Sequence, residues 1–368
     1  MGWVQKECGK LSGTFGRKMP ENPYLSFVCV SRNDNHGGDP LARLVYSCRN
    51  FIKQSAKYRT PTEFVIVEWN PPKDRPRLKQ ELKSIVRTTS NTQVRIITVP
   101  EEVHQKFEFS EKLPLFQMIG KNVGIRRSRG KFVLSSNIDI LLGDKLFVEL
   151  LPGKLREQTL YRSTRLDLKN DILREEFQEM NAVRHATRLN HMPNTIQLGS
   201  GAEILVNYHH SSTPSTKKQF RKIFFHRILT RIKRIFNKRH KNNFPLHTNA
   251  CGDFQLMDRD SWHRVGGYSE MNLYSFHIDS LLMYSALANG IFSVVFPSPL
   301  YHYHIDHTQG WVPENPDLLF NRLRNEKIGF LDQEVAIFEE LYRRGEMAQT
   351  EFLKNWGLPS YEFEEQIL

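Results

Sequence analysis

Two stretches of the 368-residue chain hold the residue types that bind divalent cations. The first is KFVLSSNIDILL, Lys131 to Leu142, where an apolar run enters Asn137-Ile138-Asp139 and leaves directly into more apolar residues. A carboxylate between hydrophobic flanks must be paired or must hold a cation. Asn137 and Asp139, two positions apart, offer oxygen ligands to one hard divalent ion. Mg2+ or Mn2+ held by so few side chains keeps room for substrate phosphates. The same residues also suit a strand-end turn capped by Asn and Asp. The second stretch is LYHYHIDH, Leu300 to His307. If a strand runs through Ser293 to Tyr303, alternation puts His302, His304 and Asp306 on one side. Neutral imidazole is a ligand for Mn2+-class ions, although a hydrogen-bonded histidine run would look alike.

A third group of residues could move a proton. Asp279 opens the apolar segment HIDSLLMYSALANG. An acid in the first turn of a helix complements the helix dipole, and a carboxylate at a helix start facing a cleft also suits a general base. Asp253, in Gly252-Asp253, is the second acid of this kind.

These residues need a scaffold, and the apolar pattern supplies one. Short buried strands are predicted at Tyr24–Ser31, Glu63–Trp69, Gln93–Val99 and Lys131–Ser135. Helices are predicted at Leu41–Ala56, Leu78–Val86, Phe116–Arg129 and, later, Ile278–Asn289. Strands alternating with helices at about 30-residue spacing imply a parallel sheet with right-handed crossovers. Ligands in such sheets bind outside the carboxyl ends of the strands. The loops there carry Arg32, Asn33 and Asp34, then Glu68 and Asn70, then Asn137 and Asp139. No Gly-x-Gly-x-x-Gly follows the first strand and no Gly-x-Ser-x-Gly is present, which argues against dinucleotide-binding and α/β-hydrolase readings.

Composition narrows the classes further. With 39% hydrophobic residues, 24 Phe and 12 Tyr, the chain can form a core. The cysteines Cys8, Cys29, Cys48 and Cys251 show no CxxC pairing, and Met1 to Leu25 has no apolar h-region, so a reducing compartment is expected. The net charge is +12, but Lys217 to Lys241 holds eleven Lys/Arg and no acid, so twelve less eleven leaves +1 for the rest. Diffuse nucleic-acid binding is not expected from such a distribution.

The order and wording of these segments resemble family 2-like inverting glycosyltransferases of the GT-A fold, over about Tyr24 to Trp311. RNDNHGGD near the start, EFVIVEWNPP after the second strand and HTNACGDFQLMDRDSWHRVGGYSE in the middle look like a divergent subset. The resemblance implies an α/β protein: a mostly parallel central sheet flanked by helices, a C-terminal acceptor-side half and a helical tail. The implied organisation is a flexible arm at 1–22 and a transferase domain at 23–311. That domain divides into a nucleotide-sugar half, 23–142, and an acceptor half, 143–311; an extension follows at 312–368. Asn137-Ile138-Asp139 stands at the DxD position that holds Mn2+ or Mg2+ on the diphosphate, with its first acid an amide. His277-Ile278-Asp279 stands at the xED position, making Asp279 the base and Asp253 the second choice. His304 or His307 stands for the late histidine of the metal site. Arg32, Asn33, Glu68, Asn122, Arg126 and Asn137 are the implied nucleotide-sugar contacts, Glu68 meeting the base and Arg126 or Arg127 the departing diphosphate. The implied partners are a UDP- or GDP-type sugar donor and a glycan or lipid-linked acceptor. A nucleotidyltransferase of similar fold is disfavoured because the loop after the first strand has Asn33-Asp34 and late glycines. A non-enzymatic membrane-surface protein stays open, with the amide at Asn137 as a sign of lost metal binding.

The basic segment QFRKIFFHRILTRIKRIFNKRHK, Gln219 to Lys241, repeats Phe220, Phe224, Ile228, Ile232 and Phe236 every four residues among Arg and Lys. This is a basic amphipathic helix. It suits peripheral attachment to the cytoplasmic face of an anionic membrane, docking on the domain itself, or phosphate binding.

Overall fold

The computed structural model describes residues 22–35, 38–174, 177–179, 182, 187–188, 194–198, 202–206, 251–307, 317–331 and 355–368. The strands are β1 Leu25–Ser31, β2 Thr62–Trp69, β3 Thr92–Val99, β4 Phe132–Ser136, β5 Ile140–Leu142, β6 Thr159–Arg162, β7 Thr164–Leu168, β8 Thr187–Arg188, β9 Asn194–Leu198, β10 Ala202–Val206, β11 Phe254–Asp258, β12 Phe292–Val295, β13 Tyr301–Ile305 and β14 Glu364–Ile367. The helices are α1 Pro40–Lys57, α2 Leu78–Ile85, α3 Glu101–His104, α4 Gln117–Arg126, α5 Asp144–Glu149, α6 Arg259–Val265, α7 Ile278–Ala288 and α8 Asp317–Asn325.

The central sheet has eight strands in the order β12-β6-β11-β4-β1-β2-β3-β14. Its middle, β4-β1-β2-β3, is parallel. Every residue of β1 and β2 is buried, as expected of strands covered on both faces. One face carries Val28, Val30, Val65 and Val67, and its apolar cluster includes Val123 and Ile125 of α4. The other carries Phe27, Cys29, Phe64 and Ile66, with Cys48 and Phe51 of α1. Helix α4 lies very close to the sheet: a Cβ on Gly124 would come 2.5 Å from Val28 Cγ1, and one on Gly120 2.8 Å from Val30 Cγ1. The glycines of this helix therefore serve helix–sheet packing.

The α/β class with a central sheet flanked by helices is the one expected from the sequence. The tail differs from the expected helical extension at its end. It is helical over Asp317–Asn325, but β14 adds antiparallel to β3 as an edge strand of the main sheet. The physical reason is a buried cation. Arg95, 1% exposed, donates to Glu63 Oε2 at 2.7 Å and needs the Glu365 carboxylate, at 2.7 and 2.8 Å, to complete its guanidinium. The 1–22 arm (apart from residue 22), the 217–241 insert and residues 332–354 of the expected helical tail lie outside the described residues.

A second sheet, β5-β13-β7-β8, stands beside the carboxyl end of β4. Its register positions the site. Antiparallel β5 and β13 set His304 opposite Ile140, next to Asp139. Parallel β7 and β13 set Asp167 opposite His304. In the main sheet, antiparallel β11 and β4 set Phe254 opposite Ser136, so Asp253 abuts Asn137.

Candidate metal centre and its surroundings

Asp139, His304 and His307 each bring a ligand atom within 4.8 Å of the others. Asp139 Oδ2 lies 3.3 Å from His307 Nε2, 3.8 Å from His304 Nε2 and 3.1 Å from Arg43 Nη1. Asp139 Oδ1 is buried and has no hydrogen-bond partner. Oxygen and nitrogen ligands at about 2.0–2.6 Å from one ion lie within about 5 Å of one another, so the set fits a divalent cation, and the orphaned oxygen is what such an ion would satisfy. Burial opposes ionisation of Asp139, but His304, His307 and Arg43 outweigh it and hold the carboxyl well below the ordinary range.

The loop bearing Asp139 is fixed by a polar stripe on α1. Ser47 Oγ donates to the Ile140 carbonyl at 2.7 Å, Asn50 Oδ1 accepts from the Leu142 amide at 2.9 Å, and Gln54 donates to the Leu142 carbonyl at 3.3 Å. Arg43, Ser47, Asn50 and Gln54 recur at helical spacing on one buried face. Counting only apolar residues in this helix passes over them; the polar stripe was the available signal.

Asn137 faces a different partner from the one implied by the metal-motif resemblance. Its Nδ2 donates to Asp253 Oδ1 at 2.7 Å, and its Oδ1 accepts from Gln117 at 2.8 Å. A carboxylate here would confront Asp253, so the amide is explained by the donor it supplies. Asp253 also accepts from Arg165 at 3.0 Å. Burial opposes its ionisation, but the Arg165 guanidinium beside it overcomes this and lowers its carboxyl. His302 lies on the same side of β13 as His304. It is fully buried, stacked on Phe254, and held neutral by that burial at a pKa of about 3. Asp306, grouped with these histidines by alternation, is exposed; β13 ends at Ile305, and the alternation ends with it.

Asp279 sits in the first turn of α7, half-buried. Its Oδ2 accepts from the Gly252 amide at 2.6 Å and its Oδ1 from the Ser280 amide at 3.0 Å. A Cβ on Gly252 would come 2.9 Å from Asp279 Oδ2, so a side chain there would push the Asp279 carboxylate out of this position. Beneath both acids lies Lys121, fully buried, donating to the Gly252 carbonyl at 2.8 Å. Burial lowers its ammonium pKa, against the pull of Asp253 and Asp279.

The remaining predicted contacts separate. Arg32 and Asn33 lie at the carboxyl end of β1, Arg32 donating to the Asn70 carbonyl at 2.6 Å and Asn33 to the Pro76 carbonyl at 2.7 Å. Glu68 is 1% exposed, and both its oxygens are taken, by Arg77 and by the Leu78 amide at the start of α2. Asn122 is fully buried and bonds the Tyr268 amide and carbonyl and Glu270. Arg126 closes the far end of α4, donating to the Trp356 carbonyl and covering the Trp356 ring. Arg127 grips the carbonyls of Gly357, Leu358 and Tyr361. Glu68, Asn122 and Arg126 thus tie the fold together and are not among the groups gathered around Asp139. Replacing Asn122 by Ala is expected to cost about 2–4 kcal/mol, because it strands buried partners; thermal unfolding reads that loss, while nucleotide affinity of the folded fraction stays unchanged.

Among the described residues no helix is long and apolar enough to cross a membrane. No family model matches the chain, and no curated protein matches it. Solved structures similar to it include GalNAc-T7 with UDP, GalNAc and Mn2+ (13% identity, TM-score 0.47, covering 82% of this chain and 48% of that one). Others are the catalytic domain of Drosophila β1,4-galactosyltransferase 7 in complex with xylobiose (11%, 0.35, 80% and 78%) and residues 1–349 of S. aureus TarS (10%, 0.40, 88% and 71%). The chain spans about half the length of the first of these.

Proposed function

We propose that this chain is a metal-dependent glycosyltransferase that moves a sugar from a UDP- or GDP-type donor to a hydroxyl of a glycan or lipid-linked acceptor. The observation that carries the reading is the Asp139–His304–His307 cluster with its orphaned buried oxygen, placed just beyond the carboxyl end of a central parallel strand. Mn2+ or Mg2+ held there supplies neutralisation of the charge that develops on a departing diphosphate. Arg32 and Asn33, at the end of β1, line the side on which the nucleoside is expected. Asp279 takes the acceptor proton: it is the acid left partly open, whereas Asp253 is enclosed by Asn137 and Arg165. A single base opposite the leaving group corresponds to inversion at the anomeric carbon. Calorimetric titration of UDP and of GDP into the full chain, with Mn2+ and with chelator, tests the reading. Metal-dependent binding of one nucleotide supports it, and binding of neither overturns it.

The 217–241 segment lies outside the described residues, and its role is read from sequence. It attaches the enzyme to the cytoplasmic face of an anionic membrane, where each Lys or Arg contributes about 1 kcal/mol. Wild-type protein is expected to co-sediment with anionic vesicles at low salt and to release at high salt. The variant carrying Arg227→Glu, Arg231→Glu, Lys233→Glu and Arg234→Glu is expected to remain in the supernatant. Wild-type protein that ignores the vesicles would remove this part of the proposal.

A further inference from the structure

We infer that Arg165 and Asp167 are positioning residues that fix the imidazole of His304 with its proton on Nδ1 and its Nε2 lone pair turned to Asp139, an inference that rests on the metal reading above. The strand register makes the contact: Asp167 on β7 stands opposite His304 on β13. Asp167 Oδ1 lies 2.8 Å from His304 Nδ1. An ionised carboxylate only accepts hydrogen bonds, so Nδ1 carries the proton and Nε2, 3.8 Å from Asp139 Oδ2, is left as the ligand atom.

Arg165 holds that carboxylate in place. Its Nε donates to Asp167 Oδ1 at 2.8 Å, and its Nη2 is 2.6 Å from the same oxygen. Nη2 is also 2.8 Å from His304 Nδ1. A guanidinium only donates, so Nδ1 can either accept from Nη2 or donate to Asp167 Oδ1, both 2.8 Å away; the Asp167 contact is the one that leaves the Nε2 lone pair facing Asp139. The opposite assignment, with Nδ1 accepting from Arg165, would put the proton on Nε2 and disable the ligand. Through Nη1 the same guanidinium reaches Asp253 Oδ2 at 3.0 Å, and Asp253 is held from its other oxygen by Asn137. One cation therefore links a metal ligand to the acid beside the proposed base. Alternation in TRLDL, with Leu166 and Leu168 inward and Arg165 and Asp167 opposite, was the sequence signal.

Two readouts on the full chain test this. In metal-free protein, long-range 1H–15N imidazole spectra, with His304 assigned by comparison with His304→Gln, are expected to show the proton on Nδ1. They are expected to show a shift toward the Nε2-protonated form in Asp167→Ala. Mn2+ titration followed by electron paramagnetic resonance is expected to give about 10–100-fold weaker binding in Asp167→Ala. Asp167→Asn, whose amide oxygen still accepts from Nδ1, should recover most of that affinity. A wild-type His304 protonated on Nε2 overturns the inference, as does unchanged Mn2+ affinity and tautomer in Asp167→Ala. Wild-type protein that shows the Nδ1 proton yet binds no Mn2+ overturns the metal reading and leaves the positioning standing. If Asp167→Ala does not fold, the wild-type tautomer and the Asp167→Asn titration decide.

Discussion

Asp279→Asn is expected to lower turnover by about 10²–10⁴-fold, the usual contribution of a general base, with donor affinity retained. The substitution keeps an oxygen that accepts from the Gly252 amide, now 2.6 Å from Oδ2, and keeps the side chain at the start of α7. What it removes is the site to which the acceptor proton goes. Asp253 is less suited to accept that proton, because it is 5% exposed and is paired with the Arg165 cation at 3.0 Å. The measurement is steady-state transfer compared with nucleotide binding in the same preparation. If Asp279→Asn transfers near normally and Asp253→Asn does not, the two acids exchange roles.

Asp139→Asn is expected to abolish metal-dependent nucleotide binding while the protein stays folded. Asp139 is the carboxylate of the cluster, and its unpartnered Oδ1 is the oxygen an ion would take up. An amide has half its oxygens and no charge, so it satisfies Arg43 poorly and a divalent cation hardly at all. Loss of the Arg43 pair adds some destabilisation, because removing one partner of a buried ion pair leaves the other uncompensated. Circular dichroism separates that effect from the loss of Mn2+, and His304→Ala and His307→Ala are expected to weaken Mn2+ in the same direction. Wild-type metal affinity in Asp139→Asn would remove it from the site.

The sheet was legible because both faces of its parallel strands are covered, which makes β1, β2 and β3 read as apolar runs. Helix α1 was legible from its apolar spacing, and its observed span, Pro40–Lys57, exceeds the predicted one by a residue at each end. Strand β14 was not, because EEQI is short, acidic and largely exposed, and its place is set by Arg95, some 270 positions earlier. The site divides in the same manner. Asp139 stood out between apolar flanks, and the late histidines stood out by type. That His307 turns toward Asp139 while Asp306 faces solvent depends on where β13 ends, which alternation alone does not specify. Arg43, Lys121, Arg165 and Asp167 act through contacts between distant segments, so their roles appear only once strand register is known. Asn122, Glu68 and Arg126 have donors and acceptors that nucleotide recognition would use, but the fold engages them with Tyr268, α2 and Trp356.

Sugar transfer from an activated nucleotide at the Asp139 cluster is tested most directly by release of nucleoside diphosphate. The measurement presents a panel of UDP- and GDP-sugars to the full chain with Mn2+, with Mg2+ and with chelator. The expected result is release from at least one donor, dependent on the divalent ion, raised by an accepting glycan, and absent in Asp139→Asn. Release that persists in chelator and in Asp139→Asn, or no release from any donor under any of these conditions, would contradict it.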